Sequence, residues 1–130
     1  MTHTFHDAEI AGMAYSRTKA SALLNLEQVD NGEARLWFSG VKAFRINDFG
    51  LQNVVSRIRV STSHQFSTQE IRDYVLWAYS QHDYKASLAD AKLAEIEATI
   101  FRGELVLFVA EPSVGAEAVS LCESIATVDA

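Results

Sequence analysis

The stretch Ser67–His82, STQEIRDYVLWAYSQH, constrains this chain most, because it is the one segment whose local chemistry points to a single structure. Ser67 followed three residues later by Glu70 is a capping-box pattern, in which hydroxyl and carboxylate each satisfy an orphan backbone group at a helix start. Ile71, Tyr74, Val75, Ala78 and Tyr79 recur at spacings of three and four, so they gather on one flank that needs an apolar surface to cover it. The expected helix therefore runs over 67–82 and lies across something flat. What flanks it reads mainly as strands.

Ala8–Arg17 fits an extended segment interrupted by Gly12. Ala20–Gln28 alternates cleanly, with Ala22, Leu24 and Leu26 on one face, and Asp30-Asn31-Gly32 supplies a tight turn into a third run. That run, Ala34–Ile46, is too long for one plain strand, and a bend at Gly40 reconciles its halves. Asn53–Thr62 alternates too, with Arg57 and Arg59 giving an outward basic face. Ser87–Ile100 is ambiguous: its Ala, Leu, Glu and Lys content favours helix, whereas Ala94, Ile96, Ala98 and Ile100 alternate with Glu95, Glu97 and Thr99 as a strand would. The expectation is a turn or short helical piece at 88–91 and a strand at 93–101, paired through Arg102-Gly103 with Leu105–Val109. A turn at Pro112–Gly115 and a last strand through Val119, Leu121 and Ile125 complete the reading. Trp37 is expected in the core. The fold class is thus α+β: an antiparallel sheet or small β-sandwich of six to seven strands, with one long amphipathic helix packed on it.

The 130 residues suffice for one domain, 1–130, with its own core. No basic-then-apolar leader opens the chain, and no window approaches the ~18 apolar residues of a membrane helix, so a cytoplasmic protein is expected. A single cysteine, Cys122, excludes an intramolecular disulfide and agrees with a reducing compartment. It sits among Val119, Leu121 and Ile125 and is expected to be an inert, buried thiol. The net charge of −6 is concentrated in the second half, which repels phosphate backbones and argues against nucleic-acid binding.

No nucleophile elbow, phosphate loop or zinc-protease motif is present, so no catalytic residue and no cofactor is assigned. His3, His6 and Asp7 come nearest to a metal cluster, but they lack a third and fourth partner in any ligand motif. Glu95 and Glu97 are expected on an outward strand face, where they pair with Arg57 and Arg59 if the two strands are neighbours. Trp77 falls toward Glu70 and Asp73 on the polar flank of the helix. A large aromatic beside carboxylates has the composition of an interface anchor for a basic protein partner. Glu70, Asp73 and Trp77 are therefore the expected partner-binding residues. Two other readings stand beside this one: a small metal-dependent or small-molecule enzyme built on His3, His6 and Asp7, and a homodimer joined through an unprotected strand edge.

The blocks HDAEI, FRINDFGLQNVV and PSVGAE resemble a group of small bacterial proteins similar in style to the immunity-type proteins that neutralise toxins. The resemblance implies a β-rich fold, a bacterial cytoplasm and action by protein–protein binding, without enzymatic residues to carry over.

Overall fold

The computed structural model describes residues 5–30 and 32–129. Eight strands form one antiparallel sheet: β1 Glu9–Ser16, β2 Ser21–Glu27, β3 Glu33–Ser39, β4 Ala43–Asn47, β5 Val54–Val60, β6 Val106–Val114, β7 Glu117–Cys122 and β8 Ser124–Asp129. Their spatial order is β4-β7-β6-β5-β1-β2-β3-β8. Two helices, α1 Thr68–Tyr79 and α2 Asp90–Phe101, complete the fold.

This corrects the expectation of six to seven strands with one long helix over 67–82. The capping box forms as read: Glu70 N–H donates to Ser67 Oγ at 3.1 Å, and the Glu70 carboxylate accepts from Ser67 N–H at 3.0 Å. The helix stops early because Ser80 adopts extended backbone and its hydroxyl intervenes. Ser80 Oγ donates to the Leu76 carbonyl at 2.7 Å and accepts from Ala86 N–H at 2.9 Å, which turns the chain away. The second helix occupies the segment expected to be a turn or short helical piece followed by a strand. Leu93, Ile96 and Ile100 are buried at spacings of three and four, while Ala94 and Ala98 are exposed, so helix propensity prevails over an accidental alternation.

The remaining differences lie at corners. Gly40, at φ +62°, ends β3 so completely that β4 belongs to the opposite edge of the sheet. Glu123 similarly separates β7 from β8, which crosses to pair with β3 from Ala34↔Asp129 to Ser39↔Ser124. Pro112 lies within β6 instead of a turn; the turn is made at Gly115, where φ is +82° and an added Cβ would sit 2.3 Å from the Gln52 carbonyl oxygen.

The sheet curls. β1 pairs with β2 along its length but with β5 only near its first residues, by bonds such as Ile10 N–H to the Asn53 carbonyl (2.9 Å) and Val55 N–H to the Ala8 carbonyl (2.8 Å). At this thin junction the two four-stranded halves fold toward one another. Phe38 on β3 meets Phe108 on β6 and Phe44 on β4 edge-on, at 4.9 and 5.7 Å between centroids. Ile10, Leu24, Leu26, Leu36, Val55 and Phe108 fill the interior of the curl. On the outside of β6 and β7, Leu107, Val109, Val119 and Leu121 meet Ile71 and Val75 of α1 and Leu93, Ile96 and Ile100 of α2. Burying each such side chain contributes ~1.5–3 kcal/mol, so β6 and β7, apolar on both faces, form the middle layer. The outer face of β2 and β3 has no such cover, and Trp37 is 44% exposed there, contrary to the core position expected of it. None of the helices described is long and apolar enough to cross a membrane.

Candidate functional site

The C-terminal turn of α1 lies against β4, an edge strand of the sheet. Alternation along β4 sends Phe44 and Ile46 toward the curl's interior and Ala43 and Arg45 toward the helices. Arg45 consequently reaches Trp77: its guanidinium carbon lies 4.2 Å from the indole centroid, and Nη1 donates to the Trp77 carbonyl at 3.2 Å. Contacts of this kind contribute ~0.5–2 kcal/mol and hold both side chains in place. Gln81 and Tyr84 exchange backbone hydrogen bonds of 2.7 and 3.1 Å, so the segment after α1 forms a hairpin-like loop.

Two clefts meet at this corner. One, of about 740 Å³, lies between the loop, Arg45, and Asp73 and Trp77 of α1. The other, of about 580 Å³, runs along β4, and Arg45, Gln81 and His82 border both. Its far wall is Met13 and Tyr15 of β1. Both lie within the ~300–1,000 Å³ typical of ligand clefts.

Of the three expected partner-binding residues, the structure brings two together. Asp73 and Trp77 line the larger cleft, Trp77 half-buried with its inner side on the helix-layer core. Asp73 is exposed and accepts from Gln69 Nε2 at 2.8 Å. Glu70 is committed elsewhere: one oxygen accepts from Ser67 N–H and the other from Arg59 at 2.8 Å. The Ser67 amide first, and Arg59 next, hold its pKa down to about 2.

Arg59 lies on the expected face of β5 but is buried there, contrary to the solvent-facing basic surface expected of it. The register irregularity before Arg57 turns Val55, expected beside the arginines, into the interior core. Arg57 and Arg59 take the face opposite Ile58 and Val60, as expected, but α1 covers that outer face over Arg59. There its side chain is 8% exposed, bonded to Glu70, to the Tyr74 hydroxyl at 2.7 Å and to Glu111 at 2.9 Å. Glu111, opposite Arg57 in the register, also accepts from Arg57 Nε. Burial alone would raise the Glu111 pKa, but Arg57, Arg59 and Tyr74 outweigh it and the pKa is lowered. Glu95 and Glu97, expected on a strand, lie on α2, so no cross-strand pairing with Arg57 and Arg59 arises, and Glu97 accepts from Thr68 Oγ1 at 2.6 Å. A shared carboxylate held by two guanidiniums is a structural tie with little freedom to exchange protons with a substrate.

His6 is exposed, its Nδ1 donating to the Ser56 carbonyl at 2.6 Å and its Nε2 lying 3.4 Å from Asp7 Oδ2. His3 lies outside the described residues, among which no three His, Cys, Asp or Glu side chains converge as metal ligands would. Cys122 is fully buried, and burial pushes its thiol pKa up to about 11, leaving it a poor nucleophile. No protein-family model, curated protein or solved structure matches the chain.

Proposed function

We propose that this chain is a non-enzymatic protein-binding module that captures its partner at the corner formed by α1, β4 and the Gln81–Ala86 loop. The observation that carries this reading is the state of Trp77: half-buried, fixed under Arg45, and open on one side to a cleft whose rim includes Asp73, Tyr84 and Lys85. A rigid aromatic with mixed polar neighbours is the composition of an interface hot spot, because its area is buried on docking without much loss of side-chain freedom. The acidic surface available to a basic partner is narrower than the sequence suggested, since Glu70 already serves the helix cap and Arg59.

The test is site-specific photo-crosslinking in the cells the protein comes from. A benzophenone at Tyr84, on the cleft rim, is expected to give a discrete adduct that Trp77→Ala abolishes while the melting temperature stays within a few degrees. A benzophenone at Arg35, on the uncovered sheet face, gives none. Identical adducts from both positions, or an adduct indifferent to Trp77→Ala, would remove the reading.

A further inference from the structure

The second cleft is an open seam in the curled sheet. On one side stands β4, whose inner neighbour is β7 and whose other edge is unpaired among the described residues. On the other stands the half of β1 beyond its bulge near Ala11, which no longer pairs with β5. Hydrogen bonds close the seam at both ends, Val41 N–H to the Ala20 carbonyl at 2.8 Å and Ile10 N–H to the Asn53 carbonyl at 2.9 Å. Between them lies the space of about 580 Å³.

Tyr15 marks what the seam lacks. It shares the inward parity of Met13, which packs on the interior core, yet it is 52% exposed. An unpaired strand edge beside an inward-facing but uncovered aromatic is the arrangement that strand addition completes: an extended peptide supplies main-chain hydrogen bonds, and its alternate side chains enter pockets on either face. The two faces differ. Inward lie Met13, Phe44 and Ile46; Arg45 lies outward, and Lys42 and His82 also line the space, with no carboxylate among the described lining residues. Lys42 faces Glu123 across 3.7 Å, an exposed pair worth ~0–1 kcal/mol that a better-placed carboxylate displaces.

We infer that the seam binds an extended partner segment in which apolar and acidic side chains alternate, added as a strand to β4. This rests on the protein-binding reading above and names the chemistry of what is bound.

The probes are two short acetylated peptides, one alternating valine with glutamate and its twin with lysine in place of glutamate, titrated into the isotope-labelled protein by NMR. The glutamate peptide is expected to bind saturably, with amide shifts concentrated on Ala43–Asn47, Met13 and Tyr15. The lysine twin binds at least about tenfold more weakly. In a Lys42→Glu/Arg45→Gln protein, first checked by its melting curve, that preference reverses. Equal binding of both peptides, shifts centred on β8, or no shift at millimolar peptide would overturn the inference. So would concentration-dependent shifts of β4 in the protein alone, which would make a second copy the occupant. Should the seam stay empty while the Tyr84 adduct persists, this inference falls and the protein-binding reading stands.

Discussion

Replacing Arg59 with methionine removes one charge from beneath α1 while keeping most of the side chain's volume. The guanidinium donates to Glu70, Tyr74 and Glu111 at 2.7–2.9 Å, and more weakly to His64 Nε2 at 3.4 Å, from a side chain 8% exposed. Breaking a buried ion pair from one side costs ~3–5 kcal/mol, mainly because the surviving charges lose their partner. Here the survivors are partly wet: the Glu70 side chain is 39% exposed and that of Glu111 25% exposed, and Glu111 keeps Arg57. Arg59 Nε, buried without a hydrogen bond, is a desolvation cost that methionine relieves. These offsets bring the expected loss to ~2–3 kcal/mol, a fall in melting temperature of roughly 10 °C for a domain of this size. Arg57→Met is the internal control: its side chain is 60% exposed, so the same chemistry two residues away is worth under ~1 kcal/mol. Urea denaturation of the three proteins measures both. If Arg59→Met lies within about 0.5 kcal/mol of the parent, or the two variants lose alike, Arg59 is a surface charge and the placement of β5 under α1 is wrong.

Acid should weaken the protein through the same carboxylate. The folded-state pKa of Glu70 is depressed from an ordinary 4.5 to about 2, so its contribution is present above pH 4.5 and lost as pH falls toward 2. Glu70→Gln flattens that part of the stability–pH curve, and an unchanged curve would contradict the assignment. Gly115→Ala, forced against the Gln52 carbonyl at positive φ, loses at least ~2 kcal/mol, whereas Gly103→Ala, at φ +77° but in open space, loses ~1 kcal/mol. Similar losses from the two would mean the β6–β7 turn is not packed on the segment before β5. Phe38→Ala destabilises by ~3–5 kcal/mol and its neighbour Trp37→Ala by under ~1.5 kcal/mol, a contrast that differential scanning calorimetry resolves and that reverses if β3 has its faces exchanged.

Sequence was informative wherever one local signal acted alone. The Ser67/Glu70 box marked the start of α1, and the alternation of Ala22, Leu24 and Leu26 set the inward face of β2. It misled wherever two signals overlapped or a tertiary contact decided. In α2 a short Ala/Ile–Glu alternation coincides with helical spacing, and only the apolar outer face of β6 and β7 selects helix. The cover that buries Arg59 against α1 and Glu111, and the corners at Gly40 and Glu123 that send β4 and β8 to opposite edges, depend on tertiary partners. The same holds for the site. Trp77 and Asp73 share a helix flank and were visible as a pair, while Arg45 and the seam beside Tyr15 exist only because the sheet curls.

Amide hydrogen exchange along β4, with and without the glutamate–valine peptide, tests the docking corner most directly. Strand addition requires that outward-pointing amides between Ala43 and Asn47 exchange readily in the free protein and become strongly protected on binding, at every second residue. Protection that is absent, or spread evenly over the basic side of the surface, would mean the peptide is held by charge alone and that no strand joins this edge.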